Sequence, residues 1–330
     1  MNKKCVALLS SILLFSAFTG NTAFSDDTIN LKSEGKKDTY KFPQFYKGIY
    51  LNVYSARNMD RLTGFMEKAK KNRINTLVLD VQTGKADTCA VSQEIVSHCV
   101  KNGFHPVARI VVFPDGLSHY PVTEEFINGK LNIAEAACIN GFKEIQFDYI
   151  RFSDIRVSKR LTFAEKYAFI ESFFRKARAR VEKYNTKIAA DVFGRIPLNQ
   201  DDGIGQKMEV FDKVVDIICP MAYPSHYTWS AKLMADPYHT VFITSKSAKE
   251  RSKKAEIVTY IQAFQMKVGK SNLTFDKYIE VQLKAVHDSG VRGYILWNAS
   301  QNYDVAFRVL GKYYREAQEA ANLNTKDKSS

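Results

Sequence analysis

The chain has 330 residues and a formal charge of +13, from 48 lysines and arginines against 35 acidic residues. Such a charge favours anionic surfaces such as acidic polysaccharide, envelope lipid or nucleic acid, but the lysines are spread over helix faces and the tail, without the basic and aromatic stripe of a nucleic-acid reader. The five cysteines lack the paired short spacing of a zinc site, and no segment is apolar for the roughly 20 residues that cross a bilayer.

The chain opens on an export pattern. Lys3 and Lys4 precede an apolar stretch from Val6 to Phe18, and a small-residue site follows at Ala23-Phe24-Ser25. This predicts a signal peptide over residues 1–25, cleaved after Ser25, and an exported protein, periplasmic or secreted. Cys5 lies ahead of the apolar stretch, where a lipid-attachment cysteine would not be. Of the remaining cysteines, Cys89 and Cys99 could pair in an oxidising compartment, or all four could be free thiols. Residues 26–46 are polar and lysine-rich and read as a flexible leader, and residues 317–330 read as a polar tail that frays.

Between them, β-rich apolar runs alternate with helical patterns. Eight runs can be counted: Gly48 to Tyr54, Thr76 to Val81, His105 to Val112, Glu144 to Arg151, Lys187 to Phe193, Asp216 to Tyr223, Ile257 to Phe264 and Gly293 to Asn298. Near-continuous Val, Ile, Leu and Phe suit parallel strands covered on both faces. Helical periodicity falls at Met59 to Lys71, Ser92 to Asn102, Leu131 to Asn140, Phe163 to Tyr184, Gly205 to Lys213 and Phe275 to Ser289, with Gly103, Gly141 and Gly290 placed as terminating residues. The expected fold is α/β, a single (β/α)₈ TIM barrel over residues 47–316. The alternative is an open doubly wound sheet, against which stands the absence of a G-x-G-x-x-G turn after the first strand.

In a barrel, chemistry belongs at the C-terminal strand ends. Strand four there offers Asp148 and Arg151; a carboxylate within an apolar run is costly unless it is used or paired, and Arg151 is the candidate structural partner. Strand five offers Asp191. Two carboxylates on adjacent strands are what glycoside hydrolysis requires, one attacking or activating water and the other protonating the leaving oxygen. Asp80, at the end of strand two, is either a positioning group or a cap. Tyr50, Asn52 and Tyr54 alternate on strand one. The loop after strand six carries Tyr223, His226, Tyr227 and Trp229, and strand eight ends in Trp297 and Asn298; these could stack on sugar faces and bond hydroxyls, or pack in the core. No G-x-S-x-G elbow or H-E-x-x-H helix is present, and neither metal nor cofactor is expected. Asp201-Asp202-Gly203 lacks calcium-loop spacing and reads as a turn.

In order along the chain stand Lys-Gly-Ile-Tyr-Leu (47–51), Ala-Arg-Ile-Val-Val-Phe (108–113), Glu-Ile-Gln-Phe-Asp-Tyr-Ile-Arg-Phe (144–152), Ala-Asp-Val-Phe-Gly (190–194), Asp-Asp-Gly-Ile-Gly-Gln (201–206), Pro-Met-Ala-Tyr-Pro-Ser-His-Tyr (220–227), Asp-Pro-Tyr-His-Thr-Val (236–241) and Leu-Trp-Asn-Ala-Ser (296–300). With these the chain resembles the bacterial glycosyl hydrolase domain family, (β/α)₈ barrels related to the α-galactosidase and α-amylase groups. The resemblance implies a nucleophile at Asp148, at the end of strand four, and an acid/base that by position is Asp191. It also shows departures. The family's Asp-Val-Lys-Asp on strand two is here Asp80-Val81-Gln82-Thr83. Its Gln-Asp-Phe-Thr-Trp on strand seven is Gln262-Ala263-Phe264-Gln265-Met266, and the loop after strand three lacks a Trp-rich segment.

Three functional readings follow. The first is a glycoside hydrolase of an envelope or environmental polysaccharide, with Asp148 and Asp191 catalytic and Asp80, Arg151, Tyr50, Tyr223, His226, Tyr227, Trp297 and Asn298 binding sugar. The second is a glycan-binding barrel that has lost turnover; the third is a basic adhesion protein, whose binding would collapse with salt.

Overall fold

The structure is a computed structural model and describes residues 40–84, 87–155 and 160–326. The expected signal peptide lies outside the described residues, as does the leader up to residue 39. The strands are β1 (Tyr46–Leu51), β2 (Thr76–Asp80), β3 (His105–Val111), β4 (Glu144–Asp148), β5 (Lys187–Phe193), β6 (Ile217–Met221), β7 in two pieces (Glu256–Ile257 and Thr259–Gln262) and β8 (Gly293–Trp297). Every pairing is parallel, and β8 returns to β1. The closed ring establishes the (β/α)₈ barrel and excludes the open sheet.

Strand alternation explains why the runs read as continuously apolar. One set of side chains, including Ile49, Leu79, Ile110, Phe147 and Val192, faces outward into the core beneath the helices. The other set, including Val78, Val107, Ala189, Ile217, Tyr260 and Ile295, fills the barrel interior. That interior is narrow: a Cβ on Gly48 would collide with the Ile295 side chain. Phe147 anchors β4 by meeting Phe173 and Phe174 edge-on, at 5.2 and 5.8 Å between ring centroids. Its truncation to alanine should cost about 3–5 kcal/mol. Because Phe147 points out, its neighbour Asp148 points in.

The helices are α1 (Val53–Ala56), α2 (Met59–Lys71), α3 (Gln93–Lys101), α4 (Glu124–Ile139), α5 (Phe163–Val181), α6 (Met208–Phe211), α7 (Ala231–Ala235), α8 (Pro237–Arg251), α9 (Phe275–Ser289) and α10 (Asp304–Lys326). Gly103, Gly141 and Gly290 take φ of 83°, 99° and 67° just past α3, α4 and α9, the left-handed stop that the sequence suggests. Thr162 and Glu165 close a capping box that starts α5.

Several boundaries differ from expectation. The chain leaves β1 at Leu51, and Asn52 caps α1 by accepting from the Ser55 N–H, so Asn52 and Tyr54 are not strand residues and Tyr54 is 64% exposed. The helix expected over Gly205 to Lys213 shrinks to α6. Helix α8 escaped the periodicity reading because its buried face is made largely of Thr240, Thr244, Ser245 and Ala248, small and polar residues that leave little apolar signal. Helix α10 runs into the segment expected to fray. The leader is ordered from Tyr40 onward: the Tyr40 hydroxyl bonds His105 Nδ1 at 2.6 Å, and Phe42 packs edge-on against the same ring. Cys89, Cys99, Cys138 and Cys219 are free thiols.

Candidate active site

Strand register sets a ring of charges at the C-terminal end of the barrel. Asp80 lies opposite Arg109, Arg109 opposite Gln146, and Asp191 opposite Cys219. Alternation turns Asp80, Arg109, Asp148 and Asp191 inward together. Arg109 forks between its neighbours: Nε and Nη2 donate to Asp148 Oδ2 at 3.1 and 2.5 Å, and Nη1 donates to Asp80 Oδ1 at 2.5 Å. The Tyr149 N–H donates to Asp148 Oδ1 at 2.6 Å. Tyr50 Oη donates to Asp80 Oδ2 at 2.5 Å.

Asp191 is held differently. Gln146 Nε2 donates to its Oδ1 at 2.5 Å, and Tyr260 Oη donates to Gln146 Oε1 at 2.8 Å. Burial, and then the charge of Asp148, push the Asp191 carboxyl well above the ordinary carboxylate range, against the opposing pull of Arg109. Burial lowers the Arg109 pKa, but the attraction of Asp148 and Asp80 outweighs it and leaves a net rise, so Arg109 is a permanent cation. The two acids differ in their partners: a cation and a backbone N–H hold Asp148, and a neutral amide holds Asp191.

Above them opens a cleft of about 540 Å³. Its lining includes both aspartates, Arg109 and Arg195, with Tyr223, His226, Tyr227, Trp229, Phe264, Trp297 and Asn298 from the loops of the catalytic face. Burial first, and then Lys267, lower the His226 pKa, so its imidazole is neutral near pH 7. Trp229 is 57% exposed at the rim and leans on Tyr227 at 4.9 Å between centroids.

Of the residues expected to form the site, Asp148, Asp191, Tyr223, His226, Tyr227, Trp297 and Asn298 come together around this cleft. Besides the two aspartates, three of them have polar groups engaged within the fold: Tyr227 Oη bonds Thr244 Oγ1 at 2.6 Å, His226 Nδ1 pairs with Ser225 Oγ at 2.9 Å, and Asn298 Nδ2 donates to Ala263 and Asn302 carbonyls at 2.7 and 2.9 Å. Tyr50 and Asp80 lie behind the lining and reach it through Arg109 and through Trp297, whose ring lies 4.0 Å from that of Tyr50. Arg151 is not brought in. β4 ends at Asp148 and Tyr149 turns to φ 54°, which breaks the alternation; Arg151 then bonds Asp154 at 3.3 Å and covers the Phe193 ring. The partner of Asp148 is Arg109.

Sequence reasoning passed over Arg109, Gln146 and Tyr260. The signal was present for Arg109, a charge inside the apolar run Ala-Arg-Ile-Val-Val-Phe. The cost argument applied to Asp148 would have selected it. Gln82, which stands where the resemblance leads one to expect a charge, clamps β3 through both backbone groups of Val111, at 2.6 and 3.2 Å.

A family model described as "putative glycosyl hydrolase domain" matches residues 119–303, more than half of the chain. Among solved structures, the chain is similar to the glycoside hydrolase domain of PgaB (BpsB) from Bordetella bronchiseptica, at 12% identity over 82% of this chain and 99% of that one, with a TM-score of 0.63. It is also similar to an endo-β-1,4-mannanase from Thermotoga petrophila, at 11% identity over 83% and 77%, TM-score 0.60. A third is the GH5_18 protein from Streptomyces cattleya in complex with GlcNAc, at 9% identity over 82% and 80%, TM-score 0.61. At these identities the structures speak for the barrel fold. No curated protein matches the chain.

Proposed function

The chain belongs to the glycosyl hydrolase domain family whose model it matches, and from that premise we propose that it hydrolyses O-glycosidic bonds of a polysaccharide by a two-carboxylate mechanism. The observation that carries the reading is the unequal pair at the cleft floor: Asp191 buried and bonded to a neutral amide, its carboxyl pushed well above the ordinary range, and Asp148 fixed by a cation and a backbone N–H. Asp191 gives its proton to the glycosidic oxygen as the C–O bond breaks. Asp148 attacks the anomeric carbon, or takes a proton from the water that does.

Retention asks for about 5 Å between the two carboxyls and inversion for about 6.5–9.5 Å, and the anomeric configuration of the product decides between them.

The overall charge misleads about the substrate. The two cations lining the cleft are each held by two carboxylates, Arg109 by Asp80 and Asp148, Arg195 by Asp154 and Asp202. A uronate would meet Asp148 without a free cation to offset it. Neutral or N-acetylated sugars fit, stacked between Trp297 and the aromatic side chains of the loop after β6. The export pattern at residues 1–25 supports action outside the cytoplasm, on envelope or environmental polysaccharide. Mass analysis of the exported protein should find Asp26 as its first residue.

The test is a panel of neutral, N-acetylated and uronic oligosaccharides, read by new reducing ends and by the anomeric configuration released. The engagement of both Asp148 oxygens by Arg109 and the Tyr149 N–H also suits the second reading, a glycan-binding barrel without turnover. Wild-type protein that binds oligosaccharide and releases no reducing ends would establish that reading instead.

A further inference from the structure

We propose that Arg109 is a positioning residue that decides which of the cleft carboxyls is charged, because its fork engages Asp148 and Asp80 and leaves Asp191 to the neutral amide of Gln146. Three carboxyls face one cation here. The guanidinium is planar and places its donors in fixed directions, so the orientation it takes selects which neighbours it serves. Its three donor nitrogens go to Asp148 and Asp80 at 2.5–3.1 Å, whereas the bond donated to Asp191 comes from the neutral amide of Gln146.

The fork is locked on every side. Arg109 lies under the rings of Trp297 and Tyr50, at 4.9 and 5.4 Å from their centroids. Tyr50 pins Asp80 from the other oxygen. The titratable groups facing the pair come from six of the strands: Tyr50 on β1, Asp80 on β2, Arg109 on β3, Tyr149 after β4, Cys219 on β6, Tyr223 after it and Tyr260 on β7. Burial first, then neighbouring carboxylates, push Tyr50, Cys219, Tyr223 and Tyr260 upward, so all four are neutral. Tyr149 is likewise raised, by burial and then by Asp148. Among the described residues, Arg109 is thus the one cation bonded to any of the three acids.

Taking that cation away leaves three carboxyls in a buried ring, and repulsion then requires a second proton. The experiment is carboxyl carbon NMR of the full chain labelled at aspartate, titrated across pH in wild type, R109K and R109M. Wild type should show one buried aspartate protonated near neutrality, and D191N should remove that signal. R109M should show two protonated aspartates, and R109K, which keeps the charge without the fork, one. Where turnover is measurable, the rising limb of the kcat/KM profile should move up by about one unit or more in R109M, with kcat falling and KM little changed.

The NMR arm does not depend on hydrolysis, so a protein without turnover would sink the hydrolase reading and leave this inference standing. A folded R109M with a single protonated aspartate would overturn the inference. So would a wild-type Asp191 that titrates in the ordinary carboxylate range. If R109M does not fold, R109K carries the decision: loss of the fork should lift the titration of Asp148, and an unmoved Asp148 overturns the proposal.

Discussion

The two ends of the barrel interior are built from the same strands in the same way, yet they do opposite things. At the N-terminal end, Tyr46 on β1, His105 on β3, Glu144 on β4 and Lys187 on β5 turn inward; at the C-terminal end, Tyr50, Arg109, Asp148 and Asp191 do so, each four residues further along its strand. At the bottom, Tyr46 Oη and His105 Nε2 meet Glu144 Oε2 at 3.0 and 2.9 Å, Lys187 pairs with Glu256 at 3.0 Å, and Tyr40 closes the stack over His105. At the top, burial and Asp148 push one acid well above the ordinary carboxylate range, and the cluster lines a cleft. A charge inside a barrel is therefore weak evidence of chemistry by itself. What separates the ends is open space and an acid whose proton has somewhere to go.

Substitutions should break this symmetry in a graded way. The largest effect is expected at the top, where Asp148→Asn should lower kcat at least about 10³-fold while the fold and oligosaccharide affinity survive, as turnover and calorimetry would show. Asp191→Asn comes next. Loss of a general acid should cost about 10²–10⁴-fold, least for substrates with a leaving group that needs no proton.

The same change should stabilise the protein at neutral pH. A carboxyl raised on folding binds a proton that the unfolded chain releases, so its contribution falls as pH climbs from the ordinary carboxylate value through the folded one. Denaturant titrations of D191N should lack that decline.

The bottom should answer in stability alone. Glu144→Ala strands the Tyr46 hydroxyl and the His105 imidazole in a dry interior, at a cost of about 3–5 kcal/mol, with kcat per folded molecule unchanged. A matching loss of kcat would erase the distinction between the ends. The smallest effect belongs to the rim: Trp229→Ala should raise KM for long oligosaccharides about five- to tenfold, for a stacking loss of about 1–1.5 kcal/mol, and leave short substrates alone.

The distinction was only half legible in the sequence. The barrel was, because eight apolar runs separated by helical segments leave little else to build, and the glycines after α3, α4 and α9 mark their ends. Asp148 and Asp191 were legible as acids at strand ends. Glu144 was invisible as their counterpart, since it opens a run and reads as a strand boundary. Arg109 was legible as a charge inside an apolar run, but its partners were not, because the fork spans three strands and register across a barrel is not written in any one of them. Arg151 misled through its nearness to Asp148: it lies three residues further on, so alternation already assigns it to the other face, and the turn at Tyr149 ends the strand before it. Helix α8 stayed unread because its packing face is threonine and serine.

The central claim is that Asp191 enters the reaction carrying the proton. The most direct measurement is the pH dependence of kcat/KM for wild type and D191N on one aryl glycoside whose leaving group departs without protonation and one whose leaving group requires it. Activity on the demanding substrate should fall in wild type as pH rises through the Asp191 titration, and D191N should be nearly inert toward it while still cleaving the other. Equal losses on both substrates, or a wild-type profile with no high-pH limb, would contradict the account.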